Sequence, residues 1–389
     1  MNHGDALNLR ITQIDIYRAA LPFDAGRRHA AAPEREAGDA FNAASRQLTR
    51  METLLVRVST DEGAVGWGEA FGHLVNPVTF AALAGLVGRF FIGTHLSGDP
   101  ASFAERLRDA HHAFHAFGRT GPVLYALSAI DTALWDLCAQ GAGKPLHRLL
   151  GAQRDRIEVY ASLVCYDNDP AEVATQVRRA HAAGFRKLKL HETTRAAIEA
   201  ARAVLPATVE LMVDVNCPWS VPEAQSHVRS LQDSALAWIE EPVWPPDDIE
   251  GFARVRQLGV PIAAGENASG VEGFRQHFER GALDIAQPSV AKIGGVSGML
   301  RVIALARTYD VRVVPHCFYY GAGLLATAHV VAALPDDVAL ELPWLQWPTP
   351  LHAAQNTGAA LTLPETPGLG FAPDMGVLER HLLDHATLN

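Results

Sequence analysis

Three acidic residues recur at one interval along the second half of the chain: Asp214 in LMVDVN, Glu240 in WIEEP and Glu266 in AAGEN, 26 residues apart each time. About 25 residues is the length of one strand–helix unit, so the interval sets three carboxylates at the carboxyl ends of neighbouring parallel strands. Anions gathered that closely raise one another's pKa and need a cation to share. Oxygen donors, with water or substrate completing the shell, suit Mg²⁺. Glu241 competes with Glu240 for the middle position, because successive strand residues face opposite sides. Glu240 points inward only if Leu236 and Trp238 do.

The elements that must position these carboxylates follow a regular rhythm. After Gly151, short apolar runs at 157–163, 186–191, 210–214, 235–240, 261–264, 283–286, 311–315 and 338–341 read as strands. Amphipathic stretches at about 170–183, 192–203, 221–232, 247–257, 269–279, 295–308 and 321–334 separate them. Strand–helix alternation of this kind describes a β/α barrel. An open sheet is the competitor, but no glycine-rich loop follows the first strand, and polar residues collect at many strand ends. The N-terminal third reads as α+β, with strands at 9–19, 54–59 and 64–70 and helices at 77–91, 101–114 and 121–140. The long loop LPFDAGRRHAAAPEREAGDAFNAASRQ exceeds an ordinary connection and reads as a lid or binding loop. The organisation expected is a capping domain over 1–125, a barrel over 126–350, and a tail over 351–389 that returns to the cap through LPETPGLGFAPD.

Composition narrows the class of function. Apolar residues at 48% allow a large core, and 33 basic against 43 acidic residues leave a net charge of −10, which speaks against a dedicated nucleic-acid surface. Cys138, Cys165, Cys217 and Cys317 form no CxxC, so neither a disulfide framework nor a sulfur-ligated zinc site is indicated. No leader peptide is visible, and the apolar stretch Pro77 to Gly88 with the following RFFIG is too short and interrupted to span a bilayer. The expectation is a cytoplasmic protein acting on a small molecule, without nucleic-acid or membrane partners, and compatible with a homo-oligomer.

Taken as a set, VDVN, IEEP, GEN, KIGGVSG and the following PH resemble the mandelate racemase branch of the enolase superfamily. AIDTALWDL in the helix before the barrel and the late PGLG turn extend the likeness over nearly the whole chain. The resemblance implies a modified (β/α)₇β TIM-type barrel with an α+β capping domain built from both chain ends. It also implies Mg²⁺ held by Asp214, Glu240 and Glu266, which settles Glu240 over Glu241. That family removes the proton next to a carboxylate and stabilises the enediolate that results. Asn216 matches a polar residue often found at the first ligand's strand end.

The chain departs from the family pattern at both base positions. The usual Lys-x-Lys falls on Lys189 and His191 when GFRKLKLHET is counted from Gly184 and Phe185, leaving Lys187 at the strand's rim. Lys189 is then expected to face the substrate carboxylate, with His191 as the base. On the other side His316, in VVPHCFYY, fits the histidine of a His–Asp dyad, but Ser289 stands where the aspartate belongs. A serine can orient an imidazole without compensating its charge, so His316 is expected to serve as the acid. Lys292 reads as a structural contact beneath the metal site. Glu341 matches an acidic residue that can donate a proton to the enediolate, and Arg27 and His29 in the long loop are expected to reach the barrel mouth. Tyr319, Tyr320, Trp344 and Trp347 read as pocket wall or core. Dehydration of an acid sugar, by an Mg²⁺-dependent hydro-lyase, is the leading expectation. Racemisation, epimerisation or cycloisomerisation of a carboxylate is the second, and a metal-binding relative without chemistry the third.

Overall fold

The computed structural model describes residues 9–26 and 49–389. Arg27 and His29 lie outside the described residues. Two sheets organise the chain. In the first, β1 (Leu9–Pro22), β2 (Arg50–Thr60) and β3 (Val65–Ala70) form an antiparallel meander, and the two-residue β4 (His95–Leu96) pairs with the start of β1. β1 and β2 are buried over most of their length, with runs of consecutive buried residues, as strands covered on both faces are.

The second sheet holds eight parallel strands: β5 (Arg156–Ser162), β6 (Lys187–Leu190), β7 (Glu210–Asp214), β8 (Trp238–Glu240), β9 (Ile262–Ala264), β10 (Ile285–Ala286), β11 (Arg312–Val313) and β12 (Leu340–Pro343). They lie in the order β11-β10-β9-β8-β7-β6-β5-β12, with a helix in each of the seven intervals between consecutive strands. This is the (β/α)₇β barrel. Between β11 and β12 the connection is made by side chains: the Cys317 N–H donates to Glu341 (2.7 Å) and Arg312 reaches the Asp337 carbonyl (3.4 Å).

Several strands are shorter than their apolar runs. Ala235 stands at φ 48°, so the chain turns there and joins the sheet at Ala237, whose N–H donates to the Leu211 carbonyl (2.8 Å). Helix starts carry the caps the sequence supplies. Asp169 accepts from the Ala171 and Glu172 N–H groups ahead of the helix Pro170–Ala182, and Ser220 and Glu223 form a capping box at Val221–Ser230.

The tail supplies two strands that the sequence pattern did not reveal. β13 (Ala360–Thr362) pairs antiparallel with β5, and β14 (Leu382–Leu388) pairs antiparallel with β1. Only alternate residues of β14 are even half-buried, which leaves a weak hydrophobic signal. The helical run His73–Phe91 is also longer than expected. It is 19 residues long and apolar enough by composition to cross a membrane, and it packs a stripe of Thr79, Leu83, Val87 and Phe91, four residues apart, into the cap.

Two buried aspartates of AIDTALWDL lock cap, barrel and tail together. Asp136 accepts from the Trp67 N–H of β3 (2.9 Å), from Gln140 (3.0 Å) and from the Leu369 N–H in the PGLG turn (2.8 Å). Asp131 accepts from the Ser297 N–H at the start of the barrel helix Gly295–Thr308 (2.9 Å). Gly295 (φ 70°) and Gly368 (φ 88°) are required there: a Cβ on either would stand 2.2 Å from the Oδ1 of Asp131 or Asp136. Burial raises both carboxyls, Asp131 to about 7 and Asp136 to about 6.

Candidate active site

At the carboxyl ends of the barrel strands lies a cavity of about 590 Å³. Barrel residues His191, Asp214, Asn216, Glu266, Lys292 and His316 line it, facing Phe71, His73 and Tyr125 from the cap. β7 and β8 pair with Asp214 directly beside Glu240, and Glu266 follows two residues after β9. The three carboxylates therefore come from adjacent strand ends, as their spacing predicts. Glu241 turns away at φ 49°, accepting from the Gly265 N–H (3.0 Å) and the Cys217 thiol (3.2 Å). Burial, and next to it the charge of Glu266, raises the Glu241 carboxyl to about 7.

Lys189 is fully buried below this group rather than in the cavity wall. Its ammonium lies 3.2 Å from Asp214, 3.0 Å from Glu240 and 2.7 Å from Glu341. This corrects the expectation that it faces the substrate: three carboxylates draw the flexible stem inward. The register itself is the one counted from Gly184. Lys187 sits at the start of β6 between Glu158 (3.0 Å) and Glu210 (3.6 Å), at the opposite end of the strand from the cavity. Glu341, expected as a proton donor, is likewise buried beneath the floor. Burial pushes its carboxyl up, but the Lys189 ammonium outweighs that and holds it below its usual range.

The two histidines are held in different ways. His191 Nδ1 bonds the Leu163 carbonyl, which can only accept, so that nitrogen carries a hydrogen. Its Nε2 faces Asp214 at 3.3 Å. His316 presents Nε2 to Glu266 at 2.6 Å, while its buried Nδ1 has no partner. Ser289 does not orient that imidazole, contrary to expectation, and it does not reach the cavity. Its hydroxyl donates to Tyr319 Oη (3.3 Å), and Tyr319 is fully buried. Asn216 does line the cavity, donating from Nδ2 to Asp214 (2.5 Å).

Among the described residues no three His, Cys, Asp or Glu side chains close into a ready cation cage. Lys189 lies between Asp214 and Glu240, and His316 is bonded to Glu266. The donor chemistry nonetheless fits Mg²⁺. All three groups offer hard carboxylate oxygens, Asp214 and Glu266 open into the cavity, and each is bonded to a cationic or N–H group that a divalent ion can replace. The Glu240 carboxyl is raised well above its usual range by burial and then by Asp214. Glu266, despite burial, is held well below it by Lys292 and His316.

The cap's contribution escaped sequence reasoning. Phe71, His73 and Tyr125 follow no period, and Lys292, read as a contact beneath the site, lines the cavity, its ammonium 4.5 Å from the centre of the Phe71 ring. Trp347 is buried against Tyr320, itself buried, and the half-buried Trp344 packs edge-on against Phe185, so all three belong to the core and its margin.

Comparison with known proteins agrees with this architecture. Residues 172–377 match the family "Enolase C-terminal domain-like", and residues 31–151 match "Mandelate racemase / muconate lactonizing enzyme, N-terminal domain". The chain is 30% identical to a D-galactarolactone cycloisomerase of Agrobacterium fabrum, covering 85% of this chain and 91% of that one. It is 31% identical to a D-galactonate dehydratase of Ralstonia nicotianae, covering 86% and 94%. The crystal structure of L-talarate dehydratase from Polaromonas sp. JS666, complexed with Mg and L-glucarate, superposes with a TM-score of 0.80 at 27% identity, covering 98% and 99%.

Proposed function

The chain belongs to the mandelate racemase and muconate lactonizing enzyme family of the enolase superfamily, and from that premise we propose that it is an Mg²⁺-dependent hydro-lyase acting on a sugar acid. It removes the proton α to the carboxylate and expels the β-hydroxyl, giving a 2-keto-3-deoxy acid. Asp214, Glu240 and Glu266, on adjacent strand ends, would hold the ion. When bound, Mg²⁺ neutralises the substrate carboxylate and the second negative charge that builds on it as the proton leaves.

One observation carries the assignment of roles: the two imidazoles facing the cavity are supported on different nitrogens. His191 spends its Nδ1–H on the Leu163 carbonyl, so the atom that exchanges a proton on the cavity side is Nε2, 3.3 Å from Asp214 and available as a base once Asp214 is engaged by the ion. His316 directs Nε2 at a carboxylate and keeps an unpartnered Nδ1, so its proton sits on the atom beside Glu266. At Nδ1, where a dyad aspartate would sit, no carboxylate backs His316, and Ser289 supplies no charge there to support an imidazolium formed by proton abstraction. His191 is the base and His316 the acid that assists departure of hydroxide. Lys189 carries a positive charge under the floor, raised well above its usual range because its three carboxylates outweigh burial. It fixes the positions of Asp214 and Glu240.

Cycloisomerisation is the second reading, favoured by the A. fabrum relative. Incubation with Mg²⁺ in deuterium oxide separates the two. D-galactonate, D-gluconate and galactarate are tested for keto-acid formation, and D-galactarolactone for ring rearrangement, with exchange at the α-carbon read throughout. His191→Asn abolishes exchange and product together, while His316→Asn abolishes product and leaves measurable exchange. Wild-type exchange in His191→Asn with none in His316→Asn reverses the roles.

A further inference from the structure

We propose that Glu192 is a positioning residue for the base: its buried carboxylate clasps the turn that follows β5 and so fixes the Leu163 carbonyl that orients His191. The proposal rests on the reading of His191 as the base and assigns a role to a group outside the cavity lining.

A backbone bond from the Leu163 N–H to the Lys189 carbonyl (2.8 Å) carries the β5–β6 pairing one residue past Ser162. Beyond it, side chains join the two segments. Successive residues face opposite sides, so His191 enters the cavity and Glu192 turns back under the turn after β5. Glu192 accepts there from the Tyr166 N–H (2.6 Å) and the Asn168 N–H (2.7 Å). Asn168 reaches across the same gap in the other direction. Its Oδ1 accepts from the N–H groups of Thr193 (2.7 Å) and Thr194 (2.9 Å), ahead of the helix Arg195–Ala203. His191 Nδ1 donates to the Leu163 carbonyl at the root of this turn. At its crown, the Tyr166 hydroxyl donates to the Ala25 carbonyl of the cap (2.6 Å).

The turn is built around a carboxylate. Asp167 (φ 63°) and Asn168 (φ 57°) are both left-handed, a conformation that Asp and Asn tolerate better than most residues. It directs neighbouring N–H groups into one concavity of the kind that holds an anion. Two converging donors match the two oxygens of a carboxylate, whereas an amide offers one acceptor and sets its NH₂ against the second donor. Such a group is costly to bury. Glu192 is 1% exposed, and burial raises its carboxyl to about 7 against the pull of both N–H groups. The position of the Leu163 carbonyl is what that cost secures. An imidazole held at Nδ1 moves with the carbonyl it bonds, and a displacement of about 1 Å at a reacting atom can lower a rate by about a hundredfold.

The His191 Nδ1–H itself is the readout that needs no turnover. A hydrogen-bonded ring N–H exchanges slowly with solvent, and in protein carrying isotope-labelled histidine its magnetic resonance signal is the one lost in His191→Asn. Before any substrate is added, Glu192→Gln is expected to speed that exchange by about tenfold or more, because the clasp opens locally. Asn168→Gly keeps the left-handed backbone, removes the other half of the clasp, and acts in the same direction; it carries the test should Glu192→Gln fail to fold. Asp169→Ala removes only the adjoining helix cap, and leaves the exchange within about twofold. With saturating Mg²⁺ and the sugar acid that the wild type turns over best, Glu192→Gln lowers kcat and α-proton exchange together by about tenfold or more. KM and Mg²⁺ affinity stay within about twofold, as expected when the base rather than the binding site is displaced. Unchanged Nδ1–H exchange in both Glu192→Gln and Asn168→Gly, equal acceleration in Asp169→Ala, or a kinetic loss carried by KM alone each overturn the proposal. Faster Nδ1–H exchange in both variants of a protein that forms no keto acid supports the clasp and removes the dehydration. Keto-acid formation with unchanged Nδ1–H exchange in both variants does the opposite.

Discussion

Replacing Lys189 with methionine removes the one ammonium shared by Asp214, Glu240 and Glu341, at 3.2, 3.0 and 2.7 Å. The residue and all three carboxylates are buried, none more than 2% exposed, so no water can take the lysine's place without opening the floor. Breaking a buried ion pair by deleting one partner destabilises by about 3–5 kcal/mol, because the remaining charge stays buried and uncompensated. At roughly 2 °C per kcal/mol for a chain of this size, the midpoint of thermal unfolding falls by about 6–10 °C. Mg²⁺ then discriminates between the carboxylates. It compensates Asp214 and Glu240 but does not touch Glu341, so it restores part of the loss, and the gain on adding Mg²⁺ is larger in Lys189→Met than in the wild type. Adding Glu341→Gln recovers the portion that Mg²⁺ cannot, with a coupling of at least about 1 kcal/mol in the double-mutant cycle. Differential scanning with and without Mg²⁺ on the four proteins reads all of this. A loss below about 1 kcal/mol, or an Mg²⁺ gain equal to the wild type's, refutes the shared-counter-ion account of Lys189.

Lys187→Ala is the control on the same strand: its partners Glu158 and Glu210 are 37% and 44% exposed, so stability changes by no more than about 1 kcal/mol and kcat is retained. Asp214→Asn, Glu240→Gln and Glu266→Gln each weaken Mg²⁺ binding by at least about tenfold in calorimetric titration while the circular dichroism spectrum is kept; unchanged affinity in all three removes the assigned site. Asp136 links stability to pH through its carboxyl, raised from 3.8 to about 6 by burial. Between those values the folded protein keeps a proton that the unfolded chain has released, so this contribution is full below about pH 4 and is lost as pH rises through about 6, by up to about 3 kcal/mol. Asp136→Asn flattens that portion of the curve, and urea-denaturation profiles of wild type and variant that stay parallel from pH 3.5 to 7 contradict it.

The parts of this molecule legible in the sequence are those that a local repeat enforces. Asp214, Glu240 and Glu266 could be placed together because one strand, one helix and two turns consume nearly the same length each time, and the parallel register of β7 and β8 converts that length into side-by-side carboxylates. The β6 register was legible for a similar reason: the pleat sends Lys187, Lys189 and His191 to one side at successive heights, with His191 at the cavity. What the pleat does not fix is the end of a long side chain. Lys189 carries its ammonium wherever the summed charge is most negative, which is down among Glu240 and Glu341 rather than up to the cavity. Ser289 likewise follows its strand at the position of a dyad partner, yet its hydroxyl pairs with Tyr319, a choice of partner that the spacing alone does not record.

The far wall of the cavity was hidden for a different reason. Phe71, His73 and Tyr125 reach the barrel mouth only because Asp136 fastens β3 to the long helix Gly121–Gly141 and Asp131 fastens that helix to the barrel. No periodicity within a loop records a docking made by two aspartates elsewhere in the chain. The division has a chemical consequence. Residues that act on the α-proton belong to the repeating barrel, where the geometry follows from chain length. Residues that meet the remainder of the substrate belong to the docked cap, where one loop can be exchanged without moving a single strand end.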